Sequence, residues 1–194
     1  ALPSDLSSTE DALVSPELPV AQSGEKIEVE EQPKSRKKEK SKKKNKHKTV
    51  LFLGRITTQK GVETFVRTAK RLVEFHEKLK FVVGGLGDQL ENMIQLTENE
   101  GLEDKVDFRG FIDRSDLPSL LKEADILFMP SVSEPFGLVA VEAAQFALPI
   151  VMSNQSGAME ILPGVLTAEY WDSRTFARHI SMLLKYKKLR KELG

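Results

Sequence analysis

From Thr49 onward, short apolar runs alternate with stretches of helical periodicity, and no other feature restricts the fold as much. A helix between consecutive strands returns the chain to the same edge of the sheet, so the strands run parallel. TVLFLG (49–54), KFVVGG (80–85), KVDFRG (105–110), ADILFMP (124–130) and LPIVMS (148–153) read as strands, with a brief extended segment near 165–168. Between the first two, residues 60–78 carry apolar side chains at 62, 65, 66, 69, 72 and 73, the spacing of an amphipathic helix. Further helices are predicted over 88–100, after a cap at Asp113 or Ser115 with Pro118 near the start, over 137–146, and from about Asp172 to the end. The 137–146 helix is built of small and apolar residues and is expected to be buried, as is the stripe 138–148. Trp171 and Tyr170 are expected to pack against the sheet, and the last helix to present 176, 180, 183 and 184 on one face. A turn is expected around 157–162. Together these elements predict a doubly wound, mostly parallel α/β domain over 49–194.

The first 48 residues obey other rules. Residues 1–33 hold eight acids and one base, with prolines at 3, 16, 19 and 33. Residues 34–48, KSRKKEKSKKKNKHK, hold ten bases and one acid. Such a segment cannot bury enough apolar surface to offset its chain entropy, so 1–48 is expected to be a disordered leader or linker. The lysine run has two readings, a polyanion-binding tail or a solvated linker. No aromatic residue interleaves the lysines to stack on bases, which favours the linker over a nucleic-acid partner. The net charge of zero averages these opposed halves with a nearly neutral domain.

In doubly wound sheets, ligands sit beyond the carboxyl ends of the strands. After the first strand, GRITTQKG (54–61) sets Arg55 and Lys60 on the turn into a helix. A guanidinium fork and an ammonium point charge beside a helix start suit a diphosphate; the alternative is an ordinary surface loop. After the second strand, GGLGD (84–88) is either a tight turn or a place where backbone approaches a ligand closely. Neither a full dinucleotide fingerprint nor a GxxxxGK[ST] phosphate loop is present. After the fourth strand comes SEPFGLVAVEA (133–143), with Glu134 at the strand end and Glu142 on the following helix. An unpaired carboxylate is costly in a core, so both point to a ligand. Glu142 can accept the two vicinal hydroxyls of a ribose, and free amides at 136–138 could meet phosphate or sugar oxygens. For Glu142 alone, a charge favoured by the helix dipole is the competing reading.

GRITTQKG, VVGGLGDQ, KVDFRGFIDRSDLPSLLKEADILFMPSVSEPFGLVAVEAAQFALPIV and SNQSGAMEIL together resemble the nucleotide-sugar-binding, C-terminal half of retaining glycosyltransferases of the two-Rossmann-domain (GT-B) type, group-one family. The ending LTAEYWDSRTFARHISMLLKY is similar to the glycogen and starch synthase-like branch. The resemblance implies a Rossmann-like sheet forming one half of a GT-B fold. It implies that Arg55 and Lys60 neutralise the departing donor diphosphate and that Glu134 contacts the transferred sugar at the reacting face. Phe136, Gly137 and Leu138 then form the turn that meets sugar and phosphate, and Glu142 holds the ribose hydroxyls. Phe111 and Ile112 match the loop at the nucleobase, and Gly85 and Gly87 the glycines near the donor, with Gly54 ending the first strand beside them. The implied donor is a UDP-sugar or ADP-sugar, with glucose as the sugar and a glycan as acceptor. That acceptor would be held by an N-terminal domain missing from this sequence. A free-standing nucleotide or nucleotide-sugar binding module without catalysis is the alternative reading.

No Asp-x-Asp occurs, so no metal and no further cofactor is expected. Cysteine is absent and no apolar stretch reaches membrane-spanning length, so a cytoplasmic protein without a membrane span is expected. The chain starts at Ala1 rather than Met, which suggests a processed chain or a piece of a longer one.

Overall fold

The computed structural model describes residues 47–194. The predicted leader therefore lies, apart from its last two residues, outside the described residues. Six strands form one parallel sheet: β1 (Lys48–Leu53), β2 (Leu79–Gly84), β3 (Val106–Gly110), β4 (Ile126–Met129), β5 (Ile150–Ser153) and β6 (Leu166–Ala168). Their spatial order is β3-β2-β1-β4-β5-β6. The chain winds outward one way from β1 to β3, then crosses back to β4 and winds the other way. Loops leaving β1 and β4 therefore diverge at one point, where such sheets open a crevice.

Strand side chains alternate between the two faces. Val50, Phe52, Phe81, Val83, Ile126 and Phe128 join one core, with α1 (Val62–Val73), α2 (Leu90–Asn99) and α5 (Ser173–Lys185). Leu51, Val82, Leu127, Met129 and Met152 join the other, with α3 (Leu117–Glu123) and α4 (Leu138–Ala144). Phe65 of α1 anchors the first core, its ring 5.4 Å from Phe52, 5.7 Å from Phe81 and 5.9 Å from Phe128. The apolar stripes predicted for α1 and α5 face this core.

Several boundaries differ from the sequence reading. Residues 58–60 form a separate 3-10 turn, and left-handed Gly61 divides it from α1. That helix also stops at Val73, where the Phe75 amide closes a tighter turn onto the Leu72 carbonyl, three residues back. α3 begins three residues later than a cap at Asp113, and one later than a cap at Ser115, would place it. The Asp113 carbonyl accepts the Asp116 and Leu117 amides in a preceding turn, leaving Asp116 at the cap position. In α4 only Ala140 and Ala143 are buried; Leu138 stands 70% exposed, because the helix lies at the rim of the sheet rather than under it. Trp171 does not pack on the sheet either. It is 59% exposed and meets Tyr170 edge to face at 4.7 Å. His76 lies in the turn after α1, not on a helix, and bonds the Ser181 hydroxyl across to α5.

The last helix starts where predicted. The Asp172 carboxylate accepts the Thr175 amide at 3.0 Å, and hydrogen bonding from Thr175 holds its pKa below the usual carboxylate value. The helix then breaks at Tyr186, and α6 (Lys187–Glu192) follows as a separate segment. Arg190 explains how α6 stays in place. Its Nη1 donates to the Leu183 and Leu184 carbonyls at 2.9 and 3.3 Å, which α5 leaves without helical partners. Its Nε lies 3.9 Å from Asp125, which also accepts from Lys48 Nζ at 2.7 Å and the Thr49 amide at 3.0 Å. Arg190→Ala is expected to lower unfolding stability by about 1–2 kcal/mol, because it leaves two partly buried carbonyl acceptors without their donor. Urea unfolding checks this, and an unchanged midpoint would contradict it.

Candidate functional site

A cavity of about 590 Å³ opens beyond the carboxyl ends of β1, β2 and β3. Its floor is main chain. The Ile56 amide donates to the Leu86 carbonyl at 2.9 Å, and the Ile56 carbonyl accepts the Gln89 amide at 3.0 Å. A methyl group built on Gly85 would lie 1.9 Å from the Gly54 oxygen, and one on Gly87 2.1 Å from the Ile56 oxygen. These glycines line the cavity and also pack closely against the main chain of the β1 loop. The loops after β1 and β4 are joined in the same way. Val132 donates to the Gln59 carbonyl at 2.8 Å, and Gly61 fits against the Pro130 carbonyl.

Onto this floor the structure brings Gly54, Arg55, Phe111, Ile112 and Glu142, all of which line the cavity. Arg55 is exposed, while Glu142 is half-buried on α4. Among the described residues, neither side chain makes a hydrogen bond or ion pair within the chain. Lys60 and Glu134 sit just beside the cavity as an ion pair, with side-chain exposures of 24% and 12%. Lys60 reaches the cavity edge, since a methyl group on Gly54 would touch its Cε at 3.9 Å. The two cations and two carboxylates thus share one rim at the β1/β4 switch.

The segment around Glu134 is itself clamped. Its amide donates to Gln155 at 3.3 Å and its carbonyl accepts the Gly157 amide at 2.9 Å, so it runs parallel to the loop after β5. Its second carboxylate oxygen accepts the Gly137 amide at 3.1 Å. That amide is therefore committed within the loop and is not a free donor, contrary to the sequence reading. Phe136 and Leu138 flank it with 76% and 70% exposure, and neither lines the cavity. Leu86, Arg114, Leu117 and Val139 complete the wall and are absent from the sequence-based set. Arg114 lies between two residues read as helix caps, although it follows a strand end just as Arg55 does.

The family model for glycosyl transferases, group 1, matches residues 33–194. The chain belongs to that family. An uncharacterized glycosyltransferase of Methanocaldococcus jannaschii is 42% identical over 115 residues, 59% of this chain and 29% of that protein. A 2-deoxystreptamine N-acetyl-D-glucosaminyltransferase of Niallia circulans is 39% identical over 114 residues, again 59% of this chain and 29% of that protein. The solved C-terminal domain of a group 1 glycosyl transferase from Francisella tularensis aligns with a TM-score of 0.69 at 26% identity, covering 75% of this chain and 80% of that one. The match thus spans under a third of these curated relatives but most of a solved C-terminal domain. The sheet is the Rossmann-like half of a GT-B fold. No described helix of this group 1 domain is long and apolar enough to cross a membrane.

Proposed function

We propose that this chain is the donor-binding half of a retaining glycosyltransferase that moves a sugar from a nucleoside diphosphate sugar to an acceptor glycan. One observation carries the reading. Arg55 and Lys60 stand on the same rim as Glu134 and Glu142, around a cavity whose volume falls in the range of small-ligand sites. In this reading Glu142 accepts the two ribose hydroxyls, and Arg55 meets the diphosphate. Lys60, which Glu134 holds at the cavity edge, turns its ammonium to the leaving phosphate oxygens as the glycosidic bond breaks. Charge fixed in advance at the departing group lowers the barrier to an oxocarbenium-like centre. Glu134, clamped by its backbone and by the Gly137 amide, meets the transferred sugar.

Glucose as the sugar follows from the glycogen synthase-like ending of the chain, whereas one relative is named for N-acetylglucosamine. The acceptor site belongs to a further domain in this proposal, so the isolated chain binds donor but turns over little. Calorimetric titration with UDP-glucose, UDP-N-acetylglucosamine and ADP-glucose tests it. Binding of a nucleotide sugar, weakened about tenfold in Glu142→Ala by loss of charge-assisted hydrogen bonds, is the expected result. No heat at millimolar concentrations of all three would overturn the reading.

A further inference from the structure

We propose that Arg114 selects the donor's base by donating to the ring position 4 oxygen of uracil, so that the site takes uridine diphosphate in preference to cytidine diphosphate. This rests on the donor-site reading above and adds the base to it. The cavity extends along the sheet edge from the β1/β4 switch towards β3. The charges that suit diphosphate and pentose stand at the switch end, on the β1 loop and α4. A base attached to that pentose is left the other end, beyond β3.

There the wall changes character. Leu86, Phe111, Ile112 and Leu117 offer apolar surface suited to the faces of a flat ring. Arg114 supplies the hydrogen-bonding side chain of that end. Among the described residues it makes no ion pair or hydrogen bond within the chain, whereas Arg109 on β3 is tied to Asp107 and Glu123. A guanidinium carries five donors and no acceptor, and it does not lose its proton at working pH. It can therefore engage a carbonyl oxygen but not an exocyclic amino group, and it discriminates at position 4 of the ring, since O2 is common to both pyrimidines. Uracil presents O4 where cytosine presents an amino group, on rings of the same size. This pair isolates hydrogen-bond polarity from shape.

The test is calorimetric titration of the chain and of its Arg114→Met variant with UDP and CDP. Methionine keeps much of the apolar stem and removes the donors, and position 114 is exposed, so folding is retained. The wild-type chain is expected to bind UDP about tenfold more tightly than CDP, in line with the discrimination of a single good base contact. In Arg114→Met the ratio should fall to within about twofold, through loss of UDP affinity alone. Equal affinities in the wild type would overturn the proposal. Equal weakening of both nucleotides in the variant would also overturn it, because the guanidinium would then be serving phosphate charge or ring stacking. Failure of the wild type to bind either nucleotide would sink the donor-site reading itself, and this inference with it.

Discussion

Under the proposed function, Lys60→Ala, made in a chain that also carries the acceptor domain, is expected to lower kcat by about a hundredfold to a thousandfold, as loss of one preorganised charge at a developing anion does elsewhere. The donor's KM should move far less. Lys60 is half-buried and held by Glu134, so it reaches its working position without a search among rotamers. Its contribution grows as the phosphate takes on charge, and only interactions that strengthen in the transition state raise kcat. Glu142→Ala is the contrast. Ribose hydroxyls gain no charge during transfer, so this variant should raise KM about tenfold with kcat nearly unchanged. Steady-state kinetics with saturating acceptor separates the two. Equal falls in kcat for both variants would contradict the division of roles. Substituting Lys60 also leaves Glu134 with one fewer partner in a partly desolvated place, so melting must be measured alongside.

Gly61→Ala is expected to destabilise the domain by about 3 kcal/mol, the sum of a left-handed backbone and a clash that neighbours cannot relieve. Gly61 has φ 72°, ends the 58–60 turn and starts α1. A methyl group there would lie 2.0 Å from the Pro130 carbonyl oxygen, which is main chain and cannot swing aside. Gly101→Ala is the internal control. It shares a left-handed φ of 67° but faces open space, so backbone strain of about 1 kcal/mol is all it should cost. Thermal unfolding of the two variants should therefore differ by roughly 5 °C or more. Matching midpoints would show that the contact between the β1 and β4 loops can relax.

The fold was largely legible because its signals are local and repeated. Strands β1, β2, β4 and β5 each carry a run of large apolar residues, and α1 and α5 carry unbroken stripes. The failures share a cause. Composition at 137–146 looks like core, but burial depends on what lies above a helix, and little covers the outer side of α4. The break at Tyr186 was hidden because both sides of it favour helix. The contact that accompanies the break is distant in sequence, Arg190 capping the last carbonyls of α5 and reaching to Asp125. Of the candidate site, Arg55, Lys60, Glu134 and Glu142 were all picked out by the rule for strand ends, and the motif resemblance then assigned each a role. The wider motif did not reveal that Gly137's amide is already engaged, because backbone partners leave no mark on residue type. Arg114 was missed for a similar reason, its neighbours' turn-forming character drawing attention away from the side chain between them.

The main-chain floor of the cavity bears on how such a domain could come to accept a different ligand. Its base is a lattice of peptide groups, closed by positions where even a methyl cannot enter, so mutation there damages the platform before it alters taste. Novelty has to arrive through the fringe, at Leu86, Phe111, Arg114 and Val139, where one side chain can be exchanged without disturbing the rest. A library confined to those four places should yield altered nucleotide preference with little loss of folded protein, whereas randomising the glycine-bearing turns should yield mostly aggregates.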